Sequence, residues 1–190
     1  MQVEKAANVI TESLDRIHAL VIYSDMMKLR EFWSLYIKKC VEEKNEVVYI
    51  APFYETVDTV RKLLSEGPVS IDIQKYETDK KSLIIVDSLE KYLDKNAKEF
   101  NVMSLLKANE DLVEYAEGEL KKKGVSFLGD SGAFLFKNQI QSLLDYEASL
   151  PRQFEINLKG ICLYHVKDFD RLSMDQKEQV IKQHKIAVKI

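Results

Sequence analysis

Short apolar runs alternate with longer stretches of helical periodicity along this 190-residue sequence, and the alternation restricts its fold more than any other feature. Several runs are apolar at successive positions, as expected of strands that helices cover on both faces. The runs predict strands at 18–24, 46–52, 69–73, 82–88, 125–129 and 161–166, and the stretches between them predict helices at 26–43, 55–65, 102–123, 138–150 and 173–183. We therefore expect an α/β protein of three layers, with a mostly parallel sheet flanked by helices.

The first 17 residues are predicted to form an amphipathic helix ahead of a single domain at 18–190. Apolar residues recur there at spacings of four and three, which makes one stripe on a helix: Val3, Ala7, Ile10, Leu14 and Ile17. Fewer than three heptads are too short for a coiled coil, so packing onto the domain is favoured over dimerisation. With six glycines and three prolines, the sequence has no stretch that reads as a flexible linker.

Composition and charge exclude several classes of partner. The sequence is 46% hydrophobic and 31% charged, as in globular proteins, and its net charge of -3 supplies no positive field for nucleic acid or an anionic membrane. Glu4 and Glu12 interrupt the first twenty residues, which therefore resemble neither a secretory signal nor a membrane span. A cytoplasmic protein is the expectation.

A ligand site is expected at the carboxyl ends of the strands, where parallel sheets of this kind bind small molecules. The predicted ligand-binding residues are Tyr23, Glu55, Asp87, Asp130 and Tyr164. The carboxylates of Glu55 and Asp130 would orient a polar group. The tyrosines would supply apolar contact, each with one hydrogen-bonding tip.

The segment that follows the first predicted strand is unsuited to phosphate binding. A phosphate loop needs glycines whose backbone N–H groups wrap the phosphates and a lysine that neutralises them. Residues 24–31 read SDMMKLRE, with no glycine and with the negative charge of Asp25. The run SLIIVDS at 82–88 resembles the magnesium-binding strand of a nucleotide hydrolase. Because the phosphate loop is missing, we expect this run to be a central strand with a structural role. Asp87 would then cap the next helix or line a pocket. No enzyme activity and no cofactor are predicted.

One alternative is a serine hydrolase. Gly129–Ala133 reads GDSGA, close to the G-x-S-x-G elbow that exposes a nucleophilic serine, here Ser131. Asp168 or Asp170 and then His184 follow in the order of such triads. No oxyanion loop accompanies the motif, which weakens this interpretation.

Metal binding is not expected from the spacing of the ligand-type residues. His18, His165 and His184 lie far apart with no H-x-x-x-H spacing, so they would bind a metal only if the tertiary structure brought them together. Backbone partners are expected for His18 and His184. Cys40 and Cys162 are also widely separated, which argues against a disulfide framework and a cysteine zinc site.

Taken in order, a set of motifs from His18 to the C-terminus resembles the MEDS domain, the methanogen/methylotroph sensory domain named after DcmR. The matching residues are His18 and Tyr23, the segment 47–55, Asp87 with Tyr92 and Leu93, Gly129 with Asp130, Tyr146 with Glu147, Cys162 with Tyr164, Phe169 and His184. The sequence departs from the family before and after Gly129-Asp130, where it has Phe127-Leu128 and Ser131-Gly132 in place of the usual arginine and Met-Trp.

This resemblance implies a RecA/KaiC-like NTPase fold that lacks the phosphate loop, or Walker A motif. It also implies a sensory role in which a small hydrocarbon derivative is bound and the signal passes to a regulator or kinase partner, or through self-association as a homodimer. Two other classes stay open: a degenerate nucleotide-binding protein of the RecA type, and a purely structural interaction protein.

Overall fold

In the computed structural model, residues 1–13, 16–92 and 100–190 are described, and within them parallel strands form one sheet. The strands are β1 (His18–Tyr23), β2 (Val47–Ala51), β3 (Leu83–Ile85), β4 (Val125–Asp130), β5 (Leu158–His165) and β6 (Ile186–Lys189). Their order across the sheet is β3-β2-β4-β5-β1-β6, and each neighbouring pair is parallel. The predicted α/β class and parallel sheet are confirmed.

Helices cover both faces of this sheet. They are α1 (Val3–Thr11), α2 (Met26–Lys39), α3 (Val57–Glu66), α4 (Ser88–Tyr92), α5 (Val102–Gly118), α6 (Gly132–Phe136), α7 (Ile140–Ser149), α8 (Val166–Phe169) and α9 (Met174–Gln183), with π-helical turns at Cys40–Lys44 and Gln74–Asp79. The core on one face is built from α1, α2 and α3, and the core on the other from α4 to α9. We call these the α2 face and the α7 face.

Successive residues of each strand enter opposite cores, because strand side chains alternate between the two faces of a sheet. Val21 and Ile161 pack in the core of the α2 face, whereas Leu20 and Cys162 pack in that of the α7 face. Covered on both sides, the strands need apolar residues at successive positions, which is the pattern seen in the sequence. None of the helices in the described ranges is both long and apolar enough to cross a membrane.

The apolar stripe of α1 packs against the rest of this chain. Val3, Ala7 and Ile10 are buried in the core of the α2 face, together with Ile17 just before β1. Leu14, the remaining member of the predicted stripe, lies outside the described residues, as does Leu93 of the family motif.

One strand prediction near β3 was wrong, and another identified its strand but placed it at the centre of the sheet instead of the edge. The segment 69–73 forms no strand, because Ile71 is its one buried residue and Asp72 accepts a hydrogen bond from the Lys75 N–H (3.0 Å) that begins a helical turn. The predicted strand at 82–88 shortens to β3, which pairs with β2 alone and therefore lies at the edge of the sheet rather than at its centre.

The sequence prediction also missed β6. It has only four residues, IAVK, of which only Val188 is buried, so the apolar run is too short to identify a strand by itself. Its pairing with β1 is what makes it a strand.

A buried ion pair joins strands at the amino edge of the sheet. Lys159 Nζ donates to Glu46 Oε1 at 2.6 Å, and the two side chains are only 3% and 6% exposed. Ser126 Oγ donates to the other carboxylate oxygen at 2.6 Å, and the Tyr36 hydroxyl lies 2.9 Å from that serine. Glu46 before β2, Ser126 on β4 and Lys159 on β5 thus form one polar network. Removal of the lysine would leave the Glu46 carboxylate buried without its cation.

Replacing Lys159 by methionine is expected to lower the free energy of unfolding by about 3–5 kcal/mol, because the Glu46 carboxylate would stay buried without its cation. Lys39→Met is the control, since the Lys39 pair with Glu12 is partly exposed and worth at most ~1 kcal/mol. Urea unfolding followed by the fluorescence of the buried Trp33 measures both. Equal stability of the two variants would contradict the assigned role of the pair.

Candidate functional site

The N-terminus of α2 is capped by the chain's own carboxylate. Asp25 Oδ1 accepts a hydrogen bond from the Lys28 N–H at 3.0 Å, and this bond lowers the pKa of Asp25 from its ordinary value. In phosphate-binding loops, the N–H groups at this end of the first helix bind the phosphates. Here Asp25 satisfies one of these N–H donors and adds a negative charge, which disfavours a phosphate at the same place.

At the carboxyl edge of the sheet, five polar or aromatic residues form what we call the edge cluster: Tyr23, Tyr54, Asp130, His165 and Asp168. The Tyr23 hydroxyl donates to Asp130 Oδ2 at 2.9 Å, and the Tyr54 hydroxyl donates to Asp168 Oδ2 at 2.5 Å. The ring of His165 lies 5.2 Å from that of Tyr23 and 5.5 Å from that of Tyr54, measured between centroids. The ends of β1, β4 and β5 bring these residues together.

Asp130 is the most perturbed carboxyl group of the edge cluster. Its side chain is fully buried, and desolvation raises its pKa from 3.8 to about 7, with the charge of Asp168 acting in the same direction. Hydrogen bonds from Gly132 N–H (2.9 Å) and from Tyr23 oppose the rise. Near neutral pH a fraction of Asp130 is therefore a neutral acid, which both donates and accepts hydrogen bonds.

Aromatic rings extend from the edge cluster to the surface. The ring of Phe53 lies 4.9 Å from that of Tyr54 and 5.6 Å from that of Phe136. Tyr54 is 44% exposed and Phe136 is 62% exposed, so an aromatic shelf faces solvent beside the buried carboxyl groups. A Cβ atom at Gly132 would lie 2.5 Å from the Phe53 ring, so glycine at this position permits the close packing.

The predicted ligand-binding residues occupy different places. Tyr23 and Asp130 are bonded to each other in the edge cluster, whereas Tyr164 points to the α7 face. Glu55 Oε1 accepts from Arg30 Nε at 2.7 Å. Asp87 is exposed and caps α4, where its Oδ1 accepts from the N–H of Leu89 at 2.8 Å. The sequence prediction did not include Tyr54, His165 and Asp168 as ligand-binding residues, although His165 ends β5 and the other two lie three residues beyond the ends of β2 and β5.

A groove runs between α2 and α3 near the Arg30–Glu55 pair. It encloses about 620 Å³, and its mostly apolar wall is formed by Met27, Lys28, Arg30, Glu31, Ser34, Leu35, Leu63, Pro68 and Val69. Its floor is the exposed side of two helices rather than the sheet, so it is separate from the edge cluster.

Ser131 does not form the predicted triad. Its hydroxyl donates to the Leu163 carbonyl oxygen at 3.0 Å, and the carboxylate of Asp168 accepts from Tyr54. His184 lies near His18 at the start of β1, whereas Ser131 follows the end of β4. The Ser131 hydroxyl is thus directed to a backbone carbonyl, and among the described residues no hydrogen bond to a histidine activates it as a nucleophile.

A second group of polar residues, the buried cluster, lies on the α7 face: His18, Glu147, Cys162, Tyr164 and His184. The centroids of the two imidazole rings lie 3.8 Å apart, and the ring planes are tilted by 37°. His18 Nε2 lies 3.2 Å from Cys162 Sγ and 3.5 Å from Glu147 Oε2, and His184 Nε2 lies 3.4 Å from the same oxygen. The fold therefore brings His18 and His184 together, which is the tertiary convergence that their sequence spacing did not indicate.

Hydrogen bonds to these side chains orient them. His18 Nδ1 lies 3.2 Å from the carbonyl oxygen of Gln183, and His184 Nδ1 lies 2.6 Å from that of Val180, as the predicted backbone partners require. The Tyr164 hydroxyl donates to Glu147 Oε1 at 2.6 Å.

Burial also changes the pKa values of this cluster. It lowers the pKa of His18 to about 2, with the charge of His184 as the second cause, and it raises the pKa of the Cys162 thiol.

Within the described ranges, His18, Glu147, Cys162 and His184 form a set with metal-ligating atoms, all within 4.8 Å of one another. No spacing pattern in the sequence indicates this convergence. These four residues and Tyr164 are, however, among those that carry the resemblance to the MEDS domain.

Comparison with known proteins agrees with the fold and with that resemblance. The family model described as "MEthanogen/methylotroph, DcmR Sensory domain" (MEDS) matches residues 17–185. A KaiC-like protein from the hyperthermophilic archaeon Pyrococcus horikoshii is 15% identical, with a TM-score of 0.59 over 92% of this chain and 72% of that one. No match was found among curated proteins.

Two further solved structures share the fold. An uncharacterized P. horikoshii protein in complex with an unknown peptide is 14% identical, with a TM-score of 0.68 over 98% of this chain and 82% of that one. An ATPase domain is 13% identical, with a TM-score of 0.58 over 100% of this chain and 74% of that one. The three-layer fold is therefore KaiC-like and RecA-like, as predicted.

The raised pKa of Asp130 predicts how the variant Asp130→Asn changes stability with pH. Folded Asp130 keeps its proton up to about pH 7, whereas the unfolded residue loses it near 3.8, so ionisation destabilises the wild type as the pH rises between these values. Asparagine cannot ionise. The stability of the variant relative to wild type should therefore rise by up to ~4 kcal/mol between pH 4 and 8 and then level off.

Asp25→Asn is the control for this measurement, and its pH dependence should have the opposite sign. The pKa of Asp25 is lowered in the folded chain, so the wild type gains from its ionisation as the pH rises and the variant does not. Urea unfolding across the pH range measures both. A flat difference for Asp130→Asn would show that Asp130 titrates normally.

Proposed function

Because the chain belongs to the MEDS family, whose model spans residues 17–185, we propose that it is a non-catalytic sensory domain. In this proposal the edge cluster and its aromatic shelf bind a small organic molecule, such as a hydrocarbon derivative with one polar group. The bound state is then passed to a regulator or kinase partner, or to a second copy of the chain.

The observation that carries the proposal is the Asp25 cap on α2. Proteins with this fold that hydrolyse nucleotides rely on backbone N–H groups and a lysine to hold the phosphates, and positioning of the phosphates is the larger part of their catalysis. In this chain a carboxylate bonds to the Lys28 N–H in that region, and the loop has no glycine. The chain thus has the parallel sheet of this fold, but where a phosphate loop would lie, the Asp25 carboxylate caps α2.

The chemistry of the edge cluster suits a small, largely apolar ligand. Phe53, Tyr54 and Phe136 offer ring surfaces next to solvent, and binding pockets for organic molecules combine such surfaces with a few polar groups. Asp130, Asp168 and His165 supply those polar groups. A neutral Asp130 would donate a hydrogen bond to a ligand oxygen or nitrogen without bringing a charge into the apolar surroundings.

The hydrogen bond between Tyr54 and Asp168 offers a route for the signal. Tyr54 belongs to the loop after β2, whereas Asp168 lies on α8, between β5 and α9. A ligand that competes for the Tyr54 hydroxyl would release α8 from this loop. The exposed side of α8 and α9 would then change its position relative to β2, which a partner could detect.

A thermal-shift screen tests this function. The full chain is incubated with alcohols, amines and halogenated alkanes of one to four carbons, and separately with Mg-ATP. We expect a saturable rise in Tm with at least one of the organic compounds and none with Mg-ATP, because the phosphate site is blocked by Asp25. Tyr54→Ala should raise the apparent Kd of that compound about tenfold or more.

Tyr115→Ala is the matched control, since Tyr115 on α5 is 40% exposed and Tyr54 is 44% exposed. It should leave the apparent Kd unchanged. A rise in Tm with Mg-ATP that Asp87→Ala abolishes would instead identify a degenerate nucleotide-binding protein. If no compound has any effect, the protein belongs to the class of structural interaction proteins.

A further inference from the structure

We propose that the buried cluster is a binding site for one zinc-class divalent metal ion, ligated by His18 Nε2, His184 Nε2, Cys162 Sγ and Glu147 Oε2. This site lies on the α7 face and is distinct from the edge cluster, so it stands independently of the sensory function proposed above.

The protonation of the histidines supports the site. A backbone carbonyl oxygen only accepts hydrogen bonds, so Nδ1 of His18 must carry a hydrogen toward Gln183, and Nδ1 of His184 must carry one toward Val180. In a neutral imidazole the other nitrogen, Nε2, then holds a lone pair. Both lone pairs face the same small space, and a backbone carbonyl behind each ring is the usual support of a metal-binding histidine.

Without a cation, this space brings acceptors together. His18 Nε2 and His184 Nε2 both lie within 3.5 Å of Glu147 Oε2, an oxygen that is itself an acceptor when ionised. Tyr164 already donates to the other oxygen of Glu147. Among the described residues, the buried Nε2 of His184 has no hydrogen-bond partner, which is costly for a polar atom in a protein interior. The Cys162 thiol, 3.2 Å from His18 Nε2, can donate its single hydrogen to one of these three atoms, whereas a bound cation would satisfy all three at once.

The spacing of the ligand atoms matches a tetrahedral ion. Bonds of about 2.0 Å to nitrogen and oxygen and about 2.3 Å to sulfur place neighbouring ligand atoms roughly 3.3–3.5 Å apart in a tetrahedral site. Four of the distances between these atoms are 3.2, 3.5, 3.4 and 3.8 Å, and all of them are within 4.8 Å. Only small side-chain adjustments would therefore be needed to bind a metal.

The charge of the ligand set is also suited to a divalent ion. Cys162 would lose its thiol proton to solvent on binding, so the thiolate and the Glu147 carboxylate together carry two negative charges, and the imidazoles are neutral. The occupied site is then neutral overall, as a site buried to this degree requires. A mixture of nitrogen, sulfur and oxygen ligands favours zinc over magnesium or calcium, and four protein ligands leave no open position for catalysis.

Such an ion would join parts of the chain that are distant in sequence. His18 begins β1, Cys162 lies within β5, Glu147 is on α7, and His184 follows α9 directly before β6. Lys185 N–H donates to the His18 carbonyl at 2.8 Å, so the step from α9 into β6 already contacts β1 at this point. The metal would fix both the last strand and α7 to the centre of the sheet.

Metal content and cobalt spectroscopy test the proposal. The full chain is purified from zinc-supplemented cells, and a second sample is unfolded with guanidinium and chelator and then refolded with Co²⁺. We expect about one zinc per chain in the first sample. In the second we expect the visible bands of four-coordinate cobalt and a charge-transfer band from a bound thiolate. His184→Gln and Glu147→Gln should each bind about a tenth of the wild-type metal or less.

The two cysteines provide a matched control. Cys162→Ser should abolish the thiolate band, whereas Cys40→Ser should keep it, because Cys40 is equally buried but lies on the α2 face near Ser126. Fluorescence of Trp33 verifies that each variant is folded. If one variant does not fold, the metal content of the other variants tests the site. Metal-free wild type after both procedures would overturn the site. If folded His184→Gln and Glu147→Gln both keep the full metal content, the ion is bound only at the surface, and the proposed site is overturned.

Discussion

Parallel pairing of β1 with β5 places His18 beside Gly160, Leu20 beside Cys162, and Tyr23 beside His165. Because side chains alternate along a strand, His18 and Cys162 point to the α7 face, while Tyr23 and His165 point to the α2 face. Both polar clusters depend on this one register, since a shift of one residue would exchange the faces of all these side chains. Gly160 also matters here, because a Cβ atom at this position would lie 3.0 Å from the ring of Phe154, which packs edge-on against His18.

The same two strands connect the clusters. Tyr164 donates to Glu147 in the buried cluster, and the next residue, His165, contacts Tyr23 and Tyr54 in the edge cluster. β5 is buried along most of its length and lies between β4 and β1, so it cannot move without disturbing both cores. Contacts that hold β5 in place within the buried cluster therefore also hold His165 in place within the edge cluster, although the two clusters face opposite sides of the sheet.

Sequence reasoning succeeded where a local pattern determines the structure. The apolar runs of β1 and β4 are long enough to identify strands, and the absence of glycine at 24–31 was sufficient to exclude a phosphate loop. It failed at 69–73 and at β6, where few residues are buried and pairing with the rest of the sheet decides the outcome. Tyr23 and Asp130 were predictable as neighbours, because both end a parallel strand. The meeting of His18 with His184 was not, because it depends on the path of the chain through α9 and back to β1.

The segment 24–31 contains no glycine, and the carboxylates at the carboxyl edge are bonded within the chain; these two features are consistent with one another. A nucleotide-binding member of this fold obtains order at the carboxyl edge from a ligand that carries several negative charges. This chain has carboxylates at that edge instead, and each has an internal donor: Asp25 has a backbone N–H, Asp130 has Tyr23, and Asp168 has Tyr54. The edge is thus ordered without phosphate, and the energetic cost of its buried carboxyl groups is reduced by hydrogen bonds and, for Asp130, by retention of a proton. The negative charge of Asp25 and the internally bonded carboxyl groups make this edge electrostatically unfavourable for an anion such as a phosphate.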